Sequence, residues 1–292
     1  RMLSNISLEW EIIKGLKFKT TGGAELGYDY NNSYIPKYKW GMNESKNTMQ
    51  TVTSAYEQLY LWDNTLNYDK AFGKHRINAM IGTSYQEYKK ESVSAAGSGR
   101  ASELTTELDN ATKATDVGGN SYRWALMSYM ARLHYSYDDR YLLTATFRAD
   151  GSSKFGKDNR FGYFPSFAAA WNIGNEAFMQ SVKPVSLLKL RAGYGQTGNQ
   201  NIGAYAFADK LSVNGVYNFG SQRGFESNLV NLIYPYLLSN PSVKWESVEQ
   251  YNVVLDIGFL QNRIVANLDF YVKNTRDILT KKPVPQTSGT SL

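Results

Sequence analysis

The strict alternation of apolar and polar residues, sustained over long ribbons, constrains this chain more than any other feature. Near the C-terminus, Ile264, Ala266, Leu268, Phe270 and Val272 alternate with Val265, Asn267, Asp269, Tyr271 and Lys273. Just before them, Tyr251, Val253, Leu255, Ile257 and Phe259 alternate with Gln250, Asn252, Val254 and Asp256, and Leu260-Gln261-Asn262 is short enough to join the two runs as a hairpin. A period of two describes a strand with one greasy face. The same pattern runs through 5–12, 16–28, 56–71, 75–88, 125–137, 141–148 and 185–194. It predicts about ten strands, most of nine or more residues, where ordinary strands average about five or six and membrane-spanning ones need roughly 9–11.

The connections alternate too. Tight turns are expected at 14–15, 72–75, 138–140 and 260–263, with a slightly longer one at 174–184. Long polar and aromatic stretches are expected at 30–52, 90–121, 151–160 and 197–245. Tight turns at one end of a sheet and long loops at the other are the habit of outer-membrane barrels.

Both a soluble sandwich and a membrane barrel alternate, so the less apolar face decides. A face turned to bulk water should carry many Lys and Glu; here it is mostly Asn, Thr, Ser, Gly, Asp and Arg. The apolar face mixes small Ala with rings near strand ends, namely Trp10, Tyr28, Tyr135, Tyr137, Tyr141, Trp171, Tyr194 and Tyr251. Rings of this kind suit a boundary that is apolar on one side and wet on the other, and Tyr is the commonest of them at 22 residues against 13 Phe and 6 Trp. No apolar run exceeds the length of Phe167–Trp171, far short of the ~20 residues of a helical span. The expected fold is therefore all-β: an antiparallel transmembrane β-barrel segment. The alternative is a secreted, aromatic-rich, carbohydrate-binding β-sandwich.

Several chemistries drop out. The chain has no Cys, which removes disulfides, thiol nucleophiles and thiolate metal sites. Its net charge of +6 is scattered, with no basic run to suggest nucleic acid. His75 stands beside a turn and His134 on a polar strand face, with no paired His to suggest a metal site. Gly193-Tyr194-Gly195-Gln196-Thr197-Gly198 spells a dinucleotide fingerprint, but no helical period follows it, so a glycine-rich strand end is expected. No catalytic residue, cofactor or metal site is assigned, and the chain is not expected to be an enzyme. Arg132, Arg148, Lys189 and Arg191 fall on the face expected to line a lumen. Trp40, Tyr217, Phe219, Tyr234 and Tyr236 fall in expected loops, where they could meet a substrate or a protein lid. Asp150-Gly151-Ser152-Ser153-Lys154 reads first as turn chemistry.

One block is more specific than any period. Arg148-Ala149-Asp150-Gly151-Ser152-Ser153-Lys154-Phe155-Gly156 leads into Arg160-Phe161-Gly162-Tyr163-Phe164-Pro165-Ser166 and Ala169-Ala170-Trp171. Leu188-Lys189-Leu190-Arg191-Ala192-Gly193-Tyr194-Gly195-Gln196-Thr197-Gly198-Asn199-Gln200 follows, and later Asn240-Pro241-Ser242-Val243-Lys244-Trp245-Glu246. These strings, within 140–280, resemble the SusC/RagA family of TonB-linked outer-membrane transporters of Bacteroidota. The resemblance implies a barrel of about 22 strands with a plugged lumen in the cell outer membrane. It also implies a SusD-like lipoprotein lid, a TonB complex acting through an N-terminal plug, and import of oligosaccharide or peptide nutrients. On that reading residues 1–292 are a partial barrel domain. The first residue, Arg1, and the polar tail Gln286–Leu292 are read as cuts inside a longer protein whose plug and remaining strands lie outside.

Overall fold

A computed structural model describes residues 1–292 other than 101, 103, 104, 106, 180, 183, 219–228, 238, 282–284 and 286–292, and gives only the backbone of 210, 212–218 and 229–237. Fourteen strands are described: β1 (Met2–Ile13), β2 (Leu16–Ile35), β3 (Tyr38–Trp40), β4 (Asn43–Ser45), β5 (Met49–Phe72), β6 (His75–Ser98), β7 (Lys113–Tyr137), β8 (Tyr141–Ser152), β9 (Phe161–Asn172), β10 (Val185–Asn199), β11 (Lys210–Asn218), β12 (Leu229–Leu237), β13 (Glu246–Phe259) and β14 (Ile264–Arg276). Ten of them form one antiparallel sheet in the order β1-β2-β5-β6-β7-β8-β9-β10-β13-β14, while β3-β4 and β11-β12 are separate hairpins. No helix among the described residues is long and apolar enough to cross a membrane.

The order is a plain meander, so each strand pairs with its neighbour along the main sheet and every second connection returns to the same edge. The turn chemistry follows from that. Between β7 and β8, Asp138 and Asp139 take φ of 52° and 51°, and Arg140 N–H donates to the Tyr137 carbonyl at 2.9 Å. Two left-handed central residues make the mirror-image turn whose twist matches that of paired strands, and Asp tolerates it better than most residues.

Two expectations need correction. The long stretches at 30–52 and 90–121 are largely strand: β2 runs to Ile35, β5 starts at Met49, β6 runs to Ser98 and β7 starts at Lys113. Strand ends with water on both faces need no apolar side, so their sequence loses the contrast that marks a strand. The stretch 197–245 likewise holds the hairpin β11-β12.

By its contacts the chain divides into two compact units, 1–10 with 18–64 and 84–126, and 11–17 with 65–83 and 127–292. In the second unit the register is continuous from β8 to β14. It aligns Leu143, Ala169, Ala192, Val253 and Phe270 in one row and Tyr141, Trp171, Leu190, Leu255 and Leu268 in another. These apolar rows are the exposed ones: Leu143 is 52 %, Leu268 48 % and Phe270 69 % accessible. The buried polar residues lie at the alternate positions, among them Ser128 at 1 % and Asp256 at 7 %, while Arg148, Arg191 and the whole of β14 stay exposed. A soluble sandwich buries its apolar face between two sheets. Here a single sheet keeps its buried polar residues on one side and presents Leu, Phe and Tyr on the other, which is stable only where the outside is itself apolar. The sandwich alternative therefore lacks its second layer.

Candidate functional site

The polar face of the second unit is built by pairing charges across strands. Arg191 on β10 donates Nε and Nη2 to the two carboxylate oxygens of Asp256 on β13, both at 2.8 Å. Asn267 on β14 donates Nδ2 to the same carboxylate at 2.7 Å. Lys189 is the direct cross-strand partner of Asp256. A planar fork on a carboxylate is the strong geometry for such a pair. Arg148 pairs within its own strand instead, sharing Nε between the two Asp150 oxygens at 2.7 and 2.8 Å and sending Nη2 to Ser128 Oγ at 3.1 Å. Arg132 is different: it is exposed, and Nη2 reaches Asn78 Oδ1 at 3.5 Å. Of the four cations singled out in the sequence, Arg148 and Arg191 are held in carboxylate pairs, Lys189 stands across from a carboxylate, and Arg132 is exposed.

Beside them lies a hollow of about 330 Å³ lined by Ser166, Ala168, Gly193, Gly195, Gln250 and Lys273. Its glycines belong to the fingerprint-like string, which sits inside strand β10 as expected. The glycines serve close approach. A Cβ at Gly193 would stand 2.6 Å from Asn252 Oδ1, and one at Gly198 would stand 2.1 Å from the Phe164 ring.

At the long-connection end of this unit the family-like strings converge. Phe155 is fully buried, its ring centre 5.1 Å from Trp245, and Phe164 meets Trp245 edge-on at 5.4 Å. The Arg160 carbonyl accepts from both Ser152 N–H and Trp245 Nε1–H at 3.0 Å. Ser152 Oγ accepts from Lys154 N–H at 3.1 Å. The Asp-Gly-Ser-Ser-Lys string is turn chemistry only from Ser153 on, since Asp150, Gly151 and Ser152 end strand β8, and a buried aromatic knot lies beneath it.

At the short-turn end, Tyr137, Tyr141 and Trp171 form a stacked row with 6.4 Å between successive ring centres. Glu176 collects the polar tips of the last two: its carboxylate accepts from Tyr141 OH at 2.8 Å, from Trp171 Nε1 at 3.0 Å and from Arg140 Nη1 at 3.4 Å. The girdle rings read from sequence are here oriented by one acid that sequence reasoning did not single out.

The first unit adds a feature that the alternation also concealed. Tyr88, Tyr122 and Trp124 form a ring shelf, with Tyr88 and Trp124 stacked at 5.8 Å and 21° and Tyr88 edge-on to Tyr122 at 6.1 Å. Tyr88 shares its strand face with Lys90, which is ion-paired to Glu57, so the shelf lies on the polar face. Its signal in the sequence was a phase: Trp124 and Tyr122 are even-numbered, whereas the apolar set of that strand, Ala125, Met127 and Tyr129, is odd.

Among the loop aromatics, Trp40 tops the β3-β4 hairpin and is 87 % exposed. It is held there by a two-residue turn with Gly41 at φ 59°. Tyr217 lies in β11 and Tyr234 and Tyr236 in β12, in strands rather than loops. Phe219 lies outside the described residues. His75 Nδ1 shares a hydrogen bond with Tyr135 OH at 2.8 Å and His134 Nδ1 one with Thr144 Oγ1 at 2.9 Å. The arrangement offers hydrogen bonds, charge and ring faces for reversible contact.

Comparison with known proteins agrees. The family described as TonB dependent receptor-like, beta-barrel, matches residues 3–292. TonB-dependent receptor P3 of Formosa agariphila is 33 % identical, over 99 % of this chain and 28 % of its own length. TonB-dependent receptor SusC of Bacteroides thetaiotaomicron is 31 % identical, over 96 % of this chain and 27 % of its own length. The solved RagAB peptide transporter superposes with a TM-score of 0.87 at 26 % identity, over 99 % of this chain and 31 % of the matched chain. The chain thus spans less than a third of the length of the relatives it matches.

Proposed function

Since the chain belongs to the TonB-dependent receptor-like β-barrel family, we propose that residues 1–292 are one stretch of the barrel wall of an outer-membrane nutrient importer. The observation that carries this reading is the inverted sheet: exposed Leu143, Leu268 and Phe270 on one side, buried Ser128 and Asp256 on the other. The apolar side meets lipid and the polar side lines the lumen.

In this role the wall does no covalent chemistry. Arg148, Lys189 and Arg191 stiffen and charge the lumen, Arg132 contacts the cargo in the second unit, and the Tyr88-Trp124 shelf does so in the first. Trp40, Tyr217, Phe219, Tyr234 and Tyr236 meet cargo or a SusD-like lipoprotein lid at the mouth. A plug domain coupled to a TonB complex gates the path. The cargo class is peptide or oligosaccharide: the relative with a solved structure is a peptide transporter, and ring faces also suit the C–H-rich faces of sugars.

The test is fractionation and uptake. Epitope-tagged protein should sediment with the outer membrane and require detergent for release. Its deletion should abolish growth on the one peptide or glycan that it imports. Recovery in a soluble fraction without detergent would sink the reading.

A further inference from the structure

The outward side of the first unit carries a polar cluster that a passive wall does not explain. On β2, Tyr28 and Tyr30 are exposed rings, and Asn32 and Tyr34 continue their face beyond them. The pairing with β5 holds step along this stretch. Trp62 Nε1 donates to Thr20 Oγ1 at 3.1 Å, Ser54 Oγ to Tyr28 OH at 3.3 Å, and Gln50 Nε2 to Asn32 Oδ1 at 3.0 Å. Each advance along one strand is matched by an equal retreat along the other.

Thr48 lies two residues beyond Gln50. Its carbonyl accepts from Gly99 N–H at 3.0 Å, which brings the next residue, Arg100, to the cluster. The Arg100 guanidinium carbon stands 4.2 Å from the centre of the Tyr34 ring. Two polar atoms remain buried without a hydrogen-bond partner: Arg100 Nη2, and Oγ1 of Thr48, a residue only 3 % exposed. A buried donor left unmatched is costly, and more so on a charged group. Stacking on Tyr34 uses the face of the guanidinium and leaves its edge. An unpartnered hydroxyl and an unpartnered guanidinium edge in one cluster call for an acceptor, and the acceptor that matches a guanidinium best after a carboxylate is a phosphate.

Height selects between these. Four residues of strand carry the chain about 13 Å along its own direction, so Tyr34 lies beyond the belt marked by Tyr28 and Tyr30, where lipid headgroups stand. We infer that Arg100, Thr48 and Tyr34 form a site for the phosphate of a phosphorylated lipid in the outer leaflet. This rests on the wall reading above, since it needs lipid against that face.

The test uses the intact protein purified from outer membranes and delipidated in detergent, with phosphatidic acid, diacylglycerol and inorganic phosphate as probes in native mass spectrometry and calorimetry. Phosphatidic acid should bind well above diacylglycerol and inorganic phosphate. Arg100→Gln should weaken it about tenfold or more, Thr48→Val about threefold, and Arg100→Lys should fall between Arg100→Gln and the parent. Equal binding of diacylglycerol overturns the phosphate. Inorganic phosphate binding as tightly as phosphatidic acid overturns the lipid source, and unchanged retention in Arg100→Gln overturns the site. If the parent protein sediments with the outer membrane and these variants change nothing, only this inference fails; if it does not sediment there, the wall reading fails first.

Discussion

At Glu176 one carboxylate organises a membrane-boundary cluster, and its titration follows from that. The Trp171 indole N–H, then the Tyr141 hydroxyl and the nearby Arg140 charge, hold its pKa below the ordinary 4.5, against some loss of solvent. A carboxylate depressed in the folded state contributes stability that is fully present above its unfolded value and is lost as pH falls through the folded one. Stability attributable to Glu176 should therefore be flat near neutrality and decline only in acid below the ordinary glutamate range. Unfolding midpoints measured from about pH 7 down to about pH 3 should show a shallower decline in Glu176→Gln than in the parent, starting from a lower plateau. At the opposite end, Phe155 is sealed against Trp245. Phe155→Ala should cost about 3–5 kcal/mol in denaturant titration, whereas a loss under about 1 kcal/mol would show that the knot carries little. Part of this was legible: Arg148 to Phe155 stood out as a string, but nothing local said that Trp245 closes over it.

A strand of this sheet is defined by which neighbour each face meets, and β14 shows it most simply. Leu268 is on the apolar row opposite Leu255, which the proposal turns to lipid, and Asn267 is on the polar row opposite Asp256, which it turns to the lumen. Placing an arginine at each position separates the two environments with one chemistry. Leu268→Arg should destabilise insertion by about 2–4 kcal/mol, because the guanidinium must leave water. Asn267→Arg should stay within about 0.5 kcal/mol, with Asp256 at hand. Urea titration of the protein refolding into lipid vesicles measures both; equal costs would refute the assignment of faces. The strand interiors were legible because one face is apolar and the other polar, which forces a contrast at every residue. The extensions of β5, β6 and β7 were not, because that contrast ends where the membrane does.

On the proposed reading the whole molecule passes a moving cargo along its lumen, and weak repeated contacts serve that better than one tight site. The shelf of Tyr88, Tyr122 and Trp124 is the clearest such contact in the first unit. A ring pair contributes about 0.5–1.5 kcal/mol, so Trp124→Ala should weaken cargo binding roughly two- to tenfold, with no change in the amount of protein in the outer membrane. Uptake and binding of a labelled cargo, normalised to protein in that fraction, would check it. The sequence by itself determined the strands, the tight turns, the opposed tastes of the two faces and the family strings, because each of these is written in residues a few positions apart. Only the tertiary structure decided that Arg191 meets Asp256 across 65 positions and that Trp245 caps Arg160 across 85. It likewise decided that one acid gathers the girdle tips. Those meetings depend on register across strands joined by connections of any length, and a periodic pattern looks the same after every shift of two.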